Sequence, residues 1–144
     1  MKKLNAEMTD FFDRIYEGNQ RKLVFGDGRK KAPIMLIGEA PGEFEVKEGR
    51  PFVGKAGKNL DELLLATGMR REELYITNVV KFRPVKLSKA NRLVNRPPTR
   101  EEIELFLPWL IKEIAAVSPK APPAIPSRSS KFDAYHFRRF QFPY

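Results

Sequence analysis

A short apolar run that leads into a glycine- and proline-containing loop is the feature that most constrains the fold of this chain. Residues 34–37 read Ile-Met-Leu-Ile, and the next five residues read Gly-Glu-Ala-Pro-Gly. Such a run is typical of a buried strand, and the loop after it is tight and polar. Because ligands of open α/β sheets bind outside the carboxyl ends of the strands, we expect the chemistry of the protein at this loop.

The order of the other elements predicts an α/β fold. The first half of the chain is predicted to contain an N-terminal helix that ends near residue 18, a turn at 26–28, the strand at 34–37 and a helix at 55–67 that Gly68 stops. A strand rich in β-branched residues follows at 74–80, and an irregular basic segment at 81–95. The last predicted helix begins at the Thr99 capping box. Alternation of strands and helices is typical of a parallel, right-handed sheet. We therefore predict a three-layer αβα sandwich with a mostly parallel central sheet.

The end of the chain differs in composition from the rest. Proline stands at positions 119, 122, 123 and 126, and prolines disfavour the strand that should follow the last helix. Residues 121–144 are also rich in serine and aromatic side chains. The prediction is an α/β domain at 1–120, incomplete at its C-terminus, followed by an atypical tail at 121–144.

Charge and cysteine content limit the partners and cofactors. The net charge of +9 and the pI near 9.9 favour a polyanionic partner such as nucleic acid, although a solvated basic surface would have the same composition. The chain has no cysteine, and this excludes disulfides, thiolate zinc sites and a cysteine nucleophile. It has a single histidine, His136. We expect no metal and no cofactor.

Location and assembly are predicted from the same sequence. No apolar run approaches the roughly 18 residues that a membrane helix needs, and the basic N-terminus lacks the apolar core of a secretory signal. We expect a cytoplasmic monomer that does not contact membranes.

Three motifs in order resemble those of the uracil-DNA glycosylase superfamily, and family 4 in particular. They are Gly-Glu-Ala-Pro-Gly at 38–42 with Glu45, Gly-Arg-Pro-Phe-Val-Gly at 49–54, and Tyr-Ile-Thr-Asn-Val-Val-Lys at 75–81 with Arg83 and Pro84. The resemblance covers about residues 24–120. It implies a glycosylase-like fold and a DNA repair enzyme that hydrolyses the N-glycosidic bond of uracil in DNA.

The chain departs from the family 4 pattern at its cysteines and near its end. Family 4 enzymes usually hold a [4Fe-4S] cluster on four cysteines, whereas Phe82 and Phe106 stand at two of those positions here and the pair expected near 16–23 is missing. The resemblance is thus to a cluster-free branch without iron. The family's later His-Pro loop is not recognisable, and His136 lies in Tyr-His-Phe instead.

The resemblance also implies roles for individual residues. Phe52 would stack on the extruded uracil, and Asn78 would donate and accept the hydrogen bonds that separate uracil from cytosine. Glu39 and Glu45 would face the developing sugar cation and its water. Together with Asn78, which reads the base, they are the predicted catalytic residues. The loop residues Gly38, Ala40, Pro41 and Gly42 would bind the base, and Lys81, Arg83, Lys86 and Arg92 would contact DNA phosphates.

Two alternatives stay open at this point. The first is a nucleic-acid-binding remnant of the same fold whose catalysis is impaired, since the His-Pro loop is missing. The second is an α/β nucleotide-binding or phosphotransfer protein that uses residues 38–42 as an anion loop. Against the second, no Gly-Lys-Ser/Thr follows the loop, and Glu39 and Glu43 would repel phosphate.

Overall fold

A computed structural model describes residues 1–17 and 21–124 and contains a three-stranded central sheet in the order β1-β3-β2. The strands are β1 (Asp27–Gly28), β2 (Met35–Gly38) and β3 (Tyr75–Asn78). β2 and β3 are parallel, whereas β1 is antiparallel to β3. Together with the helices that follow, this sheet confirms the predicted α/β class.

Helices precede and follow the strands, and all of them except the second in chain order were predicted. They are α1 (Lys2–Ile15), α2 (Glu43–Glu48), α3 (Lys55–Thr67) and α4 (Arg100–Val117). α3 has the predicted bounds and stops at Gly68, whose φ of 70° is in the left-handed region that glycine tolerates. α4 begins at the predicted capping box, in which Thr99 Oγ1 accepts from the Glu102 amide and the Glu102 carboxylate accepts from the Thr99 amide.

Each face of the sheet carries its own hydrophobic core. On one face, α1 and α4 pack against the sheet through buried side chains that include Phe12, Ile37 and Phe106. On the other face, α3 packs Leu60 and Leu64 against Leu74, Ile76 and their neighbours. The layers are therefore helix, sheet and helix, as expected when both faces of a sheet are apolar.

Three segments differ from the prediction. Residues 26–28 contain the edge strand β1 rather than a free turn, and the loop after residue 42 contains the short helix α2. The segment at 81–95 is not irregular, because it holds an antiparallel hairpin of β4 (Val85–Leu87) and β5 (Leu93–Asn95). β1 forms by pairing with the distant strand β3, whereas α2 and the hairpin are closed by contacts within their own segments.

The proline-rich segment also pairs with the sheet. Ala124 forms a parallel bridge with Leu36, in which its amide donates to the Met35 carbonyl and its carbonyl accepts from the Ile37 amide, each at 3.0 Å. Ala124 keeps the amide hydrogen that proline lacks, so this single bridge forms beside prolines that disfavour a full strand. The predicted boundary at residue 120 stays a prediction. His136 and most of the predicted tail lie outside the described residues.

No helix in the described ranges is long and apolar enough to cross a membrane.

A buried ion pair connects the sheet to α4. Lys81 Nζ is fully buried and donates to Glu113 Oε2, Thr77 Oγ1 and the Asn78 carbonyl, each at 2.6 Å. Tyr75 donates its hydroxyl to the other oxygen of Glu113 at 2.8 Å. Burial lowers the pKa of Lys81, and the Glu113 carboxylate opposes that shift. The predicted phosphate contact of Lys81 is therefore wrong, because its ammonium group points into the core.

We expect Glu113→Ala to destabilise the protein by about 3–5 kcal/mol, because it leaves the Lys81 charge buried without a partner. Urea unfolding followed by circular dichroism measures the loss. Glu104→Ala on the same helix is the control, since Glu104 makes only an exposed pair with Arg100 and should leave the urea midpoint nearly unchanged. Equal small effects of both substitutions would show that the buried pair does not hold the fold together.

Candidate active site

Gly38, Phe52 and Asn78 meet at the carboxyl ends of β2 and β3. Gly38 lies opposite Asn78 in the parallel register. A Cβ atom placed on Gly38 would lie 2.3 Å from Asn78 Oδ1 and 2.6 Å from two ring carbons of Phe52. Only glycine therefore allows the amide of Asn78 and the ring of Phe52 to approach the same point of the backbone.

The Phe52 ring is held there by a strained backbone. Phe52 has a φ of 54°, in the left-handed region that costs a residue with a Cβ about 1–2 kcal/mol. The Arg71 guanidinium donates to the Phe52 carbonyl at 2.7 Å. Gly57 of α3 lies so close to that carbonyl that a Cβ on Gly57 would be 1.9 Å from the oxygen. These contacts hold the Phe52 backbone in its left-handed conformation, and such local strain is frequent at functional sites.

Beside this contact lies an open cavity of about 580 Å³. Its walls include the predicted site residues Glu39, Ala40, Pro41, Gly42 and Glu45. The walls also include Lys55, Pro84, Asn95 and Arg96. The structure thus separates the predicted site into two adjoining parts: the Gly38–Phe52–Asn78 contact and the cavity along residues 39–45.

Glu45 ties the first two motifs together. Its carboxylate accepts hydrogen bonds from the amides of Gly42 at 3.0 Å, Val53 at 3.3 Å and Gly54 at 3.0 Å. Gly42 is also the N-cap of α2, and Glu45 completes its capping box from the third helical position. The Gly-x-x-Glu spacing at 42–45 is the sequence signal for this helix, which was not among the predicted elements.

The remaining predicted phosphate contacts lie on the β4–β5 hairpin or directly before it. Arg83 is half-buried, with its Nε 2.6 Å from Asn95 Oδ1 and its Nη2 3.6 Å from Glu43 Oε2. Lys86 and Arg92 are exposed on the β4–β5 hairpin. Arg83 thus helps to hold the base of the hairpin, whereas Lys86 and Arg92 face solvent and are free to meet an anion.

The residues at the expected cluster positions do not fit an iron–sulfur cluster. Phe82 and Phe106 are buried with ring centroids 5.5 Å apart, and the Phe106 ring also stacks on Phe12 at 4.0 Å. Tyr16 meets Phe82 edge-on at 5.6 Å, and the Arg21 guanidinium lies over both rings. Carbon rings fill this volume, and the sequence has no cysteine to hold iron there.

Comparison with known proteins agrees with this architecture. The model of the uracil DNA glycosylase superfamily matches residues 25–124, which include all three motifs. The chain therefore belongs to that superfamily. At two of the positions where family 4 carries cysteine ligands, this chain has the packed rings of Phe82 and Phe106.

Several curated relatives carry the same printed name, Type-4 uracil-DNA glycosylase. The one from Pyrobaculum aerophilum is 46% identical over 101 residues, which are 70% of this chain and 47% of the relative. The relative from Archaeoglobus fulgidus is 47% identical over 65% of this chain and 43% of its own length. The relative from Thermotoga maritima is 41% identical over 79% of this chain and 55% of its own length. The matches thus span about half of each relative.

We expect Glu45→Gln to loosen both motif loops, because an amide group cannot accept all three of the backbone hydrogen bonds that the carboxylate accepts. The loss of stability should be about 1–3 kcal/mol. Hydrogen exchange at the amides of Gly42, Val53 and Gly54 should quicken, as measured by NMR. Glu43→Gln is the matched control, since Glu43 is exposed and pairs only with Lys47 and Arg83. Unchanged exchange in the Glu45 variant would contradict the predicted role of the carboxylate.

Proposed function

We propose that this chain removes uracil from DNA by hydrolysing the N-glycosidic bond between the base and the deoxyribose. The observation that carries the proposal is the meeting of Phe52 and Asn78 over Gly38. An aromatic face and a primary amide at one point are what a pyrimidine base needs to be stacked and read along its edge. The printed name of the curated relatives supports the same activity.

Asn78 would provide specificity. Its side chain is almost fully buried, and its backbone carbonyl is held by Lys81 Nζ at 2.6 Å. A fixed amide can accept a hydrogen bond from N3–H of uracil and donate one to O4. Cytosine presents the opposite pattern at these two atoms, so it would leave the buried amide with unmatched groups, which is costly.

Glu39 is the acidic side chain proposed to act on the reacting sugar. It is half-buried on the cavity wall, and its backbone carbonyl accepts from the Val80 amide at 3.0 Å, which fixes it beside β3. As the bond to the base breaks, positive charge develops on the sugar and a water molecule attacks C1′. A carboxylate at that place stabilises the charge and orients the water.

Glu45 takes a positioning role in this proposal rather than the catalytic role predicted from the motif. Both of its carboxylate oxygens already accept backbone hydrogen bonds. By holding Gly42 and Gly54 it would keep the base-binding loop at 38–42 in register with Phe52. The same contacts disfavour the alternative of a phosphate loop, because a carboxylate already occupies the Gly42 amide that an anion would need.

The test is uracil release from a single-stranded oligonucleotide that contains one uracil. We expect Asn78→Ala and Phe52→Ala each to slow release by about 10²-fold or more. Each removes a contact with the base that stabilises the complex by about 1–3 kcal/mol, and each leaves the remaining site misaligned. Asn78→Asp keeps the shape of the side chain but loses the amide donor, and it should be equally slow.

Asn59→Ala, on the exposed surface of α3, is the matched control and should release uracil at the wild-type rate. Binding of the same oligonucleotide by fluorescence anisotropy separates the alternatives. Binding without release by the wild-type chain would overturn the proposed activity and favour the catalytically impaired nucleic-acid-binding protein.

A further inference from the structure

The Arg71 side chain donates hydrogen bonds to two consecutive carbonyls of the loop that carries Phe52. Its Nη2 is 2.5 Å from the Pro51 carbonyl oxygen and 2.7 Å from the Phe52 carbonyl oxygen. Within residues 1–17 and 21–124, no backbone amide outside the regular helices and strands donates to either oxygen. The guanidinium group therefore supplies the hydrogen bonds that these partly buried carbonyls need.

The two carbonyls reach one nitrogen because the backbone turns between them. In an extended strand consecutive carbonyls point in opposite directions, so a single donor could not bond both. Phe52 has a φ of 54° instead, which is unfavourable for a residue with a Cβ atom. The Arg71 bonds thus stabilise the backbone conformation from which the Phe52 ring reaches Gly38.

Arg71 is itself fixed by its neighbours. Its Nη1 donates to Asp61 Oδ1 of α3 at 3.1 Å, and only 20% of its side chain is exposed. Its backbone begins a short 3-10 helix, Arg71–Glu73, that leads directly into β3 and so toward Asn78. One side chain therefore connects α3, the loop of Phe52 and the strand of Asn78.

A second open cavity, of about 430 Å³, borders Arg71. Its lining also includes Gly28, Arg50 and Ile76. Truncation of the side chain at position 71 would join the space around the two carbonyls and Asp61 to this cavity. A free guanidinium ion has the same planar set of donors as the arginine side chain, so it could enter from solvent and replace the lost group.

We propose that Arg71 is a positioning residue of the candidate active site. It holds Phe52 in the conformation in which the ring and the Asn78 amide meet the same base, and it acts through the loop backbone rather than on the substrate. This inference rests on the proposed function, since it assigns Arg71 to the same base-binding step. Without Arg71, the Phe52 backbone relaxes toward a favoured φ and the ring leaves Gly38.

The experiment compares the wild-type chain with Arg71→Ala and Arg71→Lys. Both carbonyls accept from the same nitrogen, so a lysine ammonium, which has three hydrogens on one nitrogen, can keep both bonds. Arg70→Ala is the matched control, because the Arg70 side chain makes an exposed pair with Glu73. Asp61→Ala is a milder variant that removes the partner of Nη1 from the surface of α3 and leaves the fold intact.

Two readouts separate the position of the ring from catalysis. One is the single-turnover rate of uracil release from the single-stranded oligonucleotide. The other is the nuclear Overhauser effect (NOE) between the Phe52 ring protons and the Gly38 α protons, which needs neither DNA nor turnover. Both are measured with and without guanidinium, held below the concentration that unfolds the protein, and with urea as an uncharged control.

We expect Arg71→Ala to lose the NOE and to slow uracil release by about tenfold or more, because a small displacement of a positioning group lowers the rate steeply. Guanidinium, but not urea, should restore part of both. Arg71→Lys should retain the NOE and most of the rate, Asp61→Ala should weaken both in part, and Arg70→Ala should match the wild type.

A retained NOE in Arg71→Ala, or a lost NOE with an unchanged rate of release, would overturn the positioning role. A loss that neither guanidinium nor the lysine variant corrects would overturn it too, since that pattern indicates general destabilisation. If Arg71→Ala does not fold, an unchanged NOE and rate in Asp61→Ala would have the same meaning. A wild-type chain that releases no uracil, but whose NOE is lost in Arg71→Ala and regained with guanidinium, would overturn the proposed function while supporting the hold of Arg71 on the ring.

Discussion

The rest of the structure depends on the buried contact between Lys81 and Glu113. It joins the end of β3 to the middle of α4, and its third bond reaches the Asn78 carbonyl. Burying two charges is costly, and only the additional hydrogen bonds from Tyr75 and Thr77 satisfy the carboxylate. The same contact that fixes the core therefore also fixes the residue proposed to read the base.

Features set by nearby residues were predictable from the sequence. α3 has its predicted bounds because Gly68 stops it, and α4 starts at Thr99 because Glu102 lies three residues later. Lys81 was misassigned because its partner is 32 residues away, and a lysine in a basic segment looks like a surface residue. Likewise, the edge pairing of Ala124 with Leu36 depends on the finished sheet.

The candidate site, like the fold, was predictable from the sequence only in part. The motifs selected Phe52 and Asn78, but the left-handed backbone of Phe52 comes from Arg71 and from the close approach of α3 at Gly57. The Arg71 contact joins residues 19 apart in sequence, so no local pattern reveals it. The hairpin was missed for another reason: its strands are only three residues long and lack the glycine turn that marks most tight hairpins.

The aromatic packing around Phe82 has a consequence for how this corner of the molecule responds to its surroundings. Stacked rings from α1, α4 and the segment after β3 attach the N-terminal helix to the sheet through apolar burial. Burial of this kind weakens on cooling and is indifferent to chelators and oxidants that attack thiolate-bound metal. The attachment of α1 should therefore vary with temperature and denaturant, and not with iron supply or redox state.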